Sequence, residues 1–241
     1  MNLMTLTGVR GGGGTTTMTG ILGDALSMLG QRVLLVDLNA SDLLRLHFGI
    51  PLVDSHGWVA SSFPSDWREQ AFDLNENLVL VPFGRKSIES FGATHLLRGD
   101  DFWLQVLPDL DAEFDWVLFD CPPYPNRLAP ALRFRSTHDV LVAHPDIAAH
   151  VLLAQIGMNA GTLLLINDFE PSHQLECDVV LDWHRRYGSR VLPQSVYRDE
   201  TLPESLACKK PITRYLPDAV ASQAAGALAR WFLSAVCTHE A

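Results

Sequence analysis

Residues 8–17, Gly8-Val9-Arg10-Gly11-Gly12-Gly13-Gly14-Thr15-Thr16-Thr17, place a glycine run directly before three threonines. The segment follows a short apolar run and opens a helix-like stretch, the context in which a glycine run becomes a phosphate site. Glycines let the backbone take positive φ and bring its N–H groups against phosphate oxygens. The N-terminus of the following helix adds partial positive charge. Thr16, in the first helical turn, is placed to offer its hydroxyl to Mg²⁺. Taken alone, the segment also reads as a flexible glycine turn. A second candidate is Asp120, which ends the apolar run Trp116-Val117-Leu118-Phe119 and precedes Cys121-Pro122-Pro123. An acid at the C-terminal end of a buried strand sits where ligands bind in open α/β sheets. By itself it reads equally as a strand-ending acid at a turn.

Positioning such groups takes a scaffold, and the chain shows one. Short apolar runs at 3–7, 33–38, 78–82, 116–121, 140–143, 163–166 and 191–192 read as strands covered on both faces. Between them, stretches 15–29, 41–48, 101–113, 127–135, 173–187 and 218–237 read as helices. This alternation predicts an α/β fold, a single-domain doubly wound, mostly parallel sheet spanning residues 1–241. The Pro/Gly/Ser-containing stretch 51–65 is expected to be an irregular excursion.

With 47% hydrophobic and 19% charged residues, the chain has the composition of a well-packed globular protein. Its net charge of −10, with no Lys/Arg block, argues against direct nucleic-acid binding, which draws on a basic face. The acidic balance also opposes contact with an anionic membrane. The stretch 218–241 carries Arg230 as its only Lys or Arg, so no autonomous membrane anchor is expected. Cys121, Cys177, Cys208 and Cys237 are scattered without a CxxC pair, as suits a reducing compartment. No stretch reaches the roughly 18 apolar residues of a spanning helix, and a cytoplasmic location is expected.

Residues 10–17 resemble the deviant phosphate loop of the MinD/ParA family, whose pattern is Lys-Gly-Gly-x-Gly-Lys-Thr-Thr. The resemblance implies a P-loop NTPase fold binding ATP and Mg²⁺, with Arg10, Gly11, Gly12, Gly13, Gly14, Thr15, Thr16 and Thr17 around the phosphates. Arg10 falls on the first lysine, which in the family reaches across a homodimer to the other copy's phosphates. Thr15 falls on the second, phosphate-binding lysine. Arginine keeps a charge able to form bidentate phosphate contacts, whereas threonine cannot replace an ammonium. In Val36-Asp37-Leu38-Asn39, matched to the family's Asp-x-Asp, the resemblance puts Asp37 near Mg²⁺ together with Thr16 and Asp120. Asn39 replaces the second aspartate, which positions the attacking water. Asp42 is read as a helix N-terminal acid. Asn167 falls where the family reads the adenine edge, and Pro193 falls in the stretch lining the base.

Further phrases narrow the resemblance to the BcsQ subgroup encoded with bacterial cellulose synthases. They include Leu43-Leu44-Arg45-Leu46, Asp66-Trp67-Arg68, Leu164-Leu165-Ile166-Asn167-Asp168-Phe169 and Tyr197-Arg198-Asp199-Glu200. The match is strong at the phosphate loop and weak over residues 51–99. It implies an accessory protein of cellulose secretion, with a small BcsR-type partner and links to the synthase and its cyclic-di-GMP-binding regulator. The partners would recruit it to the inner membrane.

Two functional classes follow from the lost charges. One is a hydrolysis-impaired, ATP-bound dimeric scaffold for the secretion complex. The other is a cycling ATPase whose turnover a partner stimulates. A third, an iron–sulfur protein on a related fold, would rest on Cys121 alone, which reads better as a small buried hydrophobe. The histidines His144, His150, His173 and His184 show no metal-ligand spacing, and Arg127, Arg133 and Arg135 read as a helix face packed by carboxylates.

Overall fold

The computed structural model describes residues 1–60, 64–85, 99–125, 129–156, 158 and 161–239. Arg127 and, within the weakly matching stretch 51–99, residues 61–63 and 86–98 lie outside the described residues. Strands β1 (Asn2–Gly8), β2 (Val33–Asp37), β3 (Phe72–Asn75), β4 (Leu78–Val81), β5 (Trp116–Cys121), β6 (His138–Ala143) and β7 (Thr162–Ile166) form one sheet in the order β3-β4-β2-β5-β1-β6-β7. All neighbours pair in parallel except the edge strand β3.

Every residue of β2 and β5 is buried, which explains their apolar sequence up to Asp37 and Asp120. Alternate residues point to opposite faces. Leu35, Trp116 and Leu118 join one core with α1 (Thr15–Met28) and α8 (Val220–His239). Leu34, Val36, Val117 and Phe119 join the other with Trp103 of α2 (Gly99–Leu110). Between β5 and α8 the chain adds α3 (Pro130–Arg135), α4 (Ile147–Gln155), α5 (Gln174–Tyr187), α6 (Thr201–Ala207) and α7 (Ile212–Tyr215). Among the described residues no helix is long and apolar enough to cross a membrane.

Several elements depart from the sequence expectation for identifiable reasons. The stretch 41–48 winds only as a 3₁₀ turn at Leu44–Phe48, because Asp42 takes a left-handed φ of 55° and Gly49 ends the turn at 76°. The pair 191–192 makes a single bridge, Leu164 to Val191, because the following Pro193 has no N–H for a ladder. The edge strand β3 escapes notice because Phe72-Asp73-Leu74-Asn75 is half polar and only four residues long. Helix α4 is apolar around most of its circumference and so lacks a periodic signal; Asp146 caps it, accepting from Ala149 N at 2.7 Å.

Candidate functional site

The glycine loop joins the C-terminal end of β1 to α1. Gly12 and Gly14 adopt φ of 77° and 82°, a conformation that costs other residues steric strain. A Cβ on Gly14 would lie 2.3 Å from Asn167 Nδ2. Asn167, just beyond β7, donates from Nδ2 to the Gly13 carbonyl at 2.9 Å and so braces the loop from the neighbouring strand. The N-terminus of α1 has no side-chain cap and no acid in its first turn. Its free N–H groups therefore remain available to an anion.

Two cavities meet at this loop. One, of about 350 Å³, is lined by residues Arg10 to Thr17 together with Asn39, Ser41 and Leu43. The other, of about 310 Å³, shares Gly12, Gly13, Gly14 and Thr17 and extends to Asn167, Tyr197 and Arg198. Each matches the lower end of small-ligand sites, and together they offer a phosphate end and a ring end. At the ring end Phe169 and Tyr197 stack at 5.7 Å, and Arg198 grips Asp168 with Nε at 3.0 Å and Nη2 at 3.1 Å. Pro193, expected here, is exposed and lines neither cavity.

Asp37 and Asp120 end adjacent parallel strands and sit opposite each other in register. Both are fully buried. Desolvation raises the Asp37 carboxyl well above its ordinary range, and the charge of Asp120 adds to this. Burial pushes Asp120 up to about 7. Asp37 is already engaged by the backbone N–H groups of Asn39 at 2.8 Å and Leu44 at 3.2 Å. Asp120 is not: neither of its oxygens has a hydrogen-bond partner, although the nearby Thr16 hydroxyl favours its charged form. A buried carboxylate left in this state is costly without an external partner. Among the described residues no three His, Cys, Asp or Glu side chains form a metal cage.

The surrounding residues position these acids. Asn39 lines the larger cavity, but its Oδ1 accepts from Ser41 N at 3.2 Å. Asp42 does not face the site; it is buried against Arg45, with Oδ2 2.9 Å from Nε. Arg45, wholly buried, also donates to the carbonyls of Pro51 at 3.2 Å, Asp54 at 2.7 Å and His56 at 2.5 Å. The 51–56 excursion is thereby tied to the core beside β2. Just beyond it Trp58 Nε1 donates to the Asp37 carbonyl at 2.7 Å, a contact that no spacing in the sequence announces.

Arg10 pairs with Asp146, the cap of α4, and Nη1 reaches the Gly11 carbonyl at 3.0 Å. Asp146 was hidden from sequence reasoning with the helix it caps, although an Asp ahead of an apolar run is the usual cap signal. Cys121 lines the phosphate-end cavity, and burial pushes its thiol up, away from the reactive thiolate. Arg133 forks onto Asp139 at 2.9 and 2.8 Å, a structural use.

Comparison with known proteins places the chain in a family. The sequence matches the family described as cellulose biosynthesis protein BcsQ over residues 1–233. It is 33% identical over 243 residues to BcsQ of Escherichia coli K12, covering 97% of this chain and 94% of that protein. It is 31% identical over 243 residues to BcsQ of Salmonella typhi, with coverage of 97% and 94%. In structure it resembles MinD complexed with Mg-ADP from Pyrococcus horikoshii, with a TM-score of 0.72 at 21% identity over 95% of this chain and 94% of that one. MinD from Aquifex aeolicus gives a TM-score of 0.77 at 16% identity, covering 97% of each chain. The chain belongs to the BcsQ family of cellulose biosynthesis proteins, on the fold of the MinD/ParA ATPases.

Proposed function

We propose that the chain binds Mg²⁺-ATP across the two joined cavities and acts as a nucleotide-bound homodimeric scaffold for the cellulose synthase machinery, with slow or absent hydrolysis. The observation that carries this reading is a complete backbone cradle that lacks the charges for turnover. Gly11, Gly12, Gly13 and Gly14 line the phosphate-end cavity with the uncapped start of α1, while Thr15 and Asn39 stand where the family resemblance expects a lysine and an aspartate.

Thr16, Asp37 and Asp120 are the residues that would hold Mg²⁺, which supplies neutralisation of phosphate charge. The donor set fits that ion: Asp120 is orphaned, Asp37 keeps lone pairs, and Mg²⁺ uses one or two carboxylates plus waters and phosphates instead of an all-protein cage. Arg10 and Thr17 belong to the phosphate side, and Asn167 to the boundary with the base. Catalysis of phosphoryl transfer is mostly positioned charge, and each missing donor costs about 10²–10³-fold in rate. The Asn39 amide can hold a water but cannot take its proton.

Family membership supports association with the cellulose synthase system. The proposed partners are a second copy across ATP, a small BcsR-type protein and the cyclic-di-GMP-binding regulator, which together bring the chain to the inner membrane. To test the nucleotide reading, the purified protein is incubated with Mg²⁺ and ATP, freed of excess nucleotide, denatured, and its extract chromatographed. Retained intact ATP is expected. Retained ADP with fast phosphate release that Asp37→Ala abolishes would overturn the scaffold reading in favour of a partner-regulated cycling ATPase.

A further inference from the structure

A third cavity, of about 160 Å³, lies far from the nucleotide site. It touches Leu78, the first residue of β4, and β4 runs parallel to β2. The cavity is thus at the N-terminal end of the parallel strands, whereas the glycine loop and both aspartates are at the C-terminal end. Phe48, Leu74, Leu78 and Pro211 give it an apolar, largely buried lining. Lys209 and Lys210, both exposed, supply its charge.

These are two of only three lysines in a chain of net charge −10. Arg214 also lines the cavity but is neutralised by the buried Asp24, with Nη2 at 2.7 Å and Nε at 2.8 Å from Oδ1. Neither lysine forms an ion pair among the described residues. Two positive charges therefore stand in surplus. The Asn75 side chain lines the same cavity; its Oδ1 accepts from Asn77 N at 2.9 Å, while its Nδ2 is buried with no partner. Cations beyond the end of α6 would favour that helix's dipole, but α6 has seven residues, and the dipole accounts neither for the cavity nor for the orphaned amide.

We propose that this cavity is a docking site for an acidic peptide segment of a partner protein. One Asp or Glu carboxylate takes Lys209, Lys210 and the Asn75 amide, and an aliphatic neighbour rests on Phe48 and Leu74. The volume fits a side chain, being half that of either nucleotide cavity. Nucleic acid is disfavoured, because its affinity is built from many phosphate contacts and two free cations supply few. A bare phosphate would leave the apolar wall unused. The site is independent of ATP binding and gives an acidic chain one place where an acidic partner is attracted instead of repelled.

The test titrates the ¹⁵N-labelled full chain with the capped peptide acetyl-Leu-Asp-Glu-Leu-amide, followed by amide shifts. Its neutral analogue acetyl-Leu-Asn-Gln-Leu-amide and inorganic phosphate are run alongside. Saturable shifts are expected at Asn75, Leu78, Lys209 and Lys210 with the acidic peptide alone. Affinity should fall roughly tenfold in the Lys209→Gln/Lys210→Gln double variant, and also in the wild type when salt is raised to about 0.3 M. Arg185→Gln, an exposed change elsewhere, should leave it intact. No saturable shift at these residues, equal shifts with the neutral peptide, or displacement of the peptide by equimolar phosphate would each overturn the proposal. The wild-type salt series decides the matter even if the double variant fails to fold.

Discussion

Asp120→Asn should stabilise the nucleotide-free protein at neutral pH while removing its response to Mg²⁺. In the folded chain Asp120 holds its proton up to about pH 7, against an ordinary aspartate value of 3.8. The raised value means that folding favours the protonated form. Stability from this group is fully present below the unfolded value and is lost as pH rises towards the folded one. Between pH 5 and pH 7 that loss is two pH units at 1.36 kcal/mol each, or about 2.7 kcal/mol, and above pH 7 it levels off. Asparagine removes this slope. The stability difference between Asp120→Asn and wild type should therefore grow by about 2.7 kcal/mol from pH 5 to pH 8, whatever constant offset the amide itself introduces. Removing the like charge beside Asp37 acts in the same direction. For a chain of this size the change corresponds to roughly 5–10 °C in melting temperature. Thermal melts of both proteins across pH, without nucleotide, measure it, because titrating groups remote from this pair cancel in the difference. A difference independent of pH would refute the claim that Asp120 is an uncompensated buried carboxylate. With Mg²⁺-ATP present, the wild type should gain stability and the variant should lose the Mg²⁺-dependent part of that gain.

Other perturbations probe the remaining parts. Thr15→Lys should tighten ATP binding by roughly 10–100-fold, since a hydrogen bond to a charged group contributes about 1.5–3 kcal/mol; calorimetric titration reads it, and unchanged affinity would remove Thr15 from the phosphate site. Gly14→Ala should cost about 2–3 kcal/mol in urea unfolding, from the left-handed φ and the displaced Asn167 bond, and should weaken ATP binding as well. Arg45→Met should cost about 3–5 kcal/mol by leaving Asp42 buried and unpaired, and it should red-shift Trp58 emission as the 51–56 segment is released. Asp146→Asn keeps the cap of α4, so stability should change by less than about 1 kcal/mol, while the freed Arg10 should tighten ATP binding.

Much of this molecule is legible in its sequence because its central strands are buried on both faces. Runs such as Val33–Val36 and Trp116–Phe119 carry no polar interruption before the acid that follows each, so the strands stand out from composition alone. The glycine loop announces itself for a similar reason: left-handed φ at Gly12 and Gly14 and the approach of Asn167 leave no room for a side chain. Local chemistry also marks Asp37 and Asp120 as strand-ending acids. It does not show that they face each other, since register between β2 and β5 is a long-range fact.

What only the tertiary structure decided is which partners these groups find. Arg10 reads as a free phosphate ligand until Asp146 is brought to it from 136 residues away. Asp42 reads as a helix N-terminal acid, whereas in the fold it is buried in the core and paired with Arg45. Pro193 lies in the expected stretch yet turns outward, while Tyr197 and Arg198 line the cavity instead. The Trp58 bond to Asp37 and the Lys209–Asn75 cavity left no signal, because a hydrogen bond to a strand-end carbonyl and a gap between a hairpin and a helix end leave no periodicity behind. Sequence determines which groups are present and which backbone shapes are permitted; desolvation and pairing across the fold determine which of them remain available for chemistry.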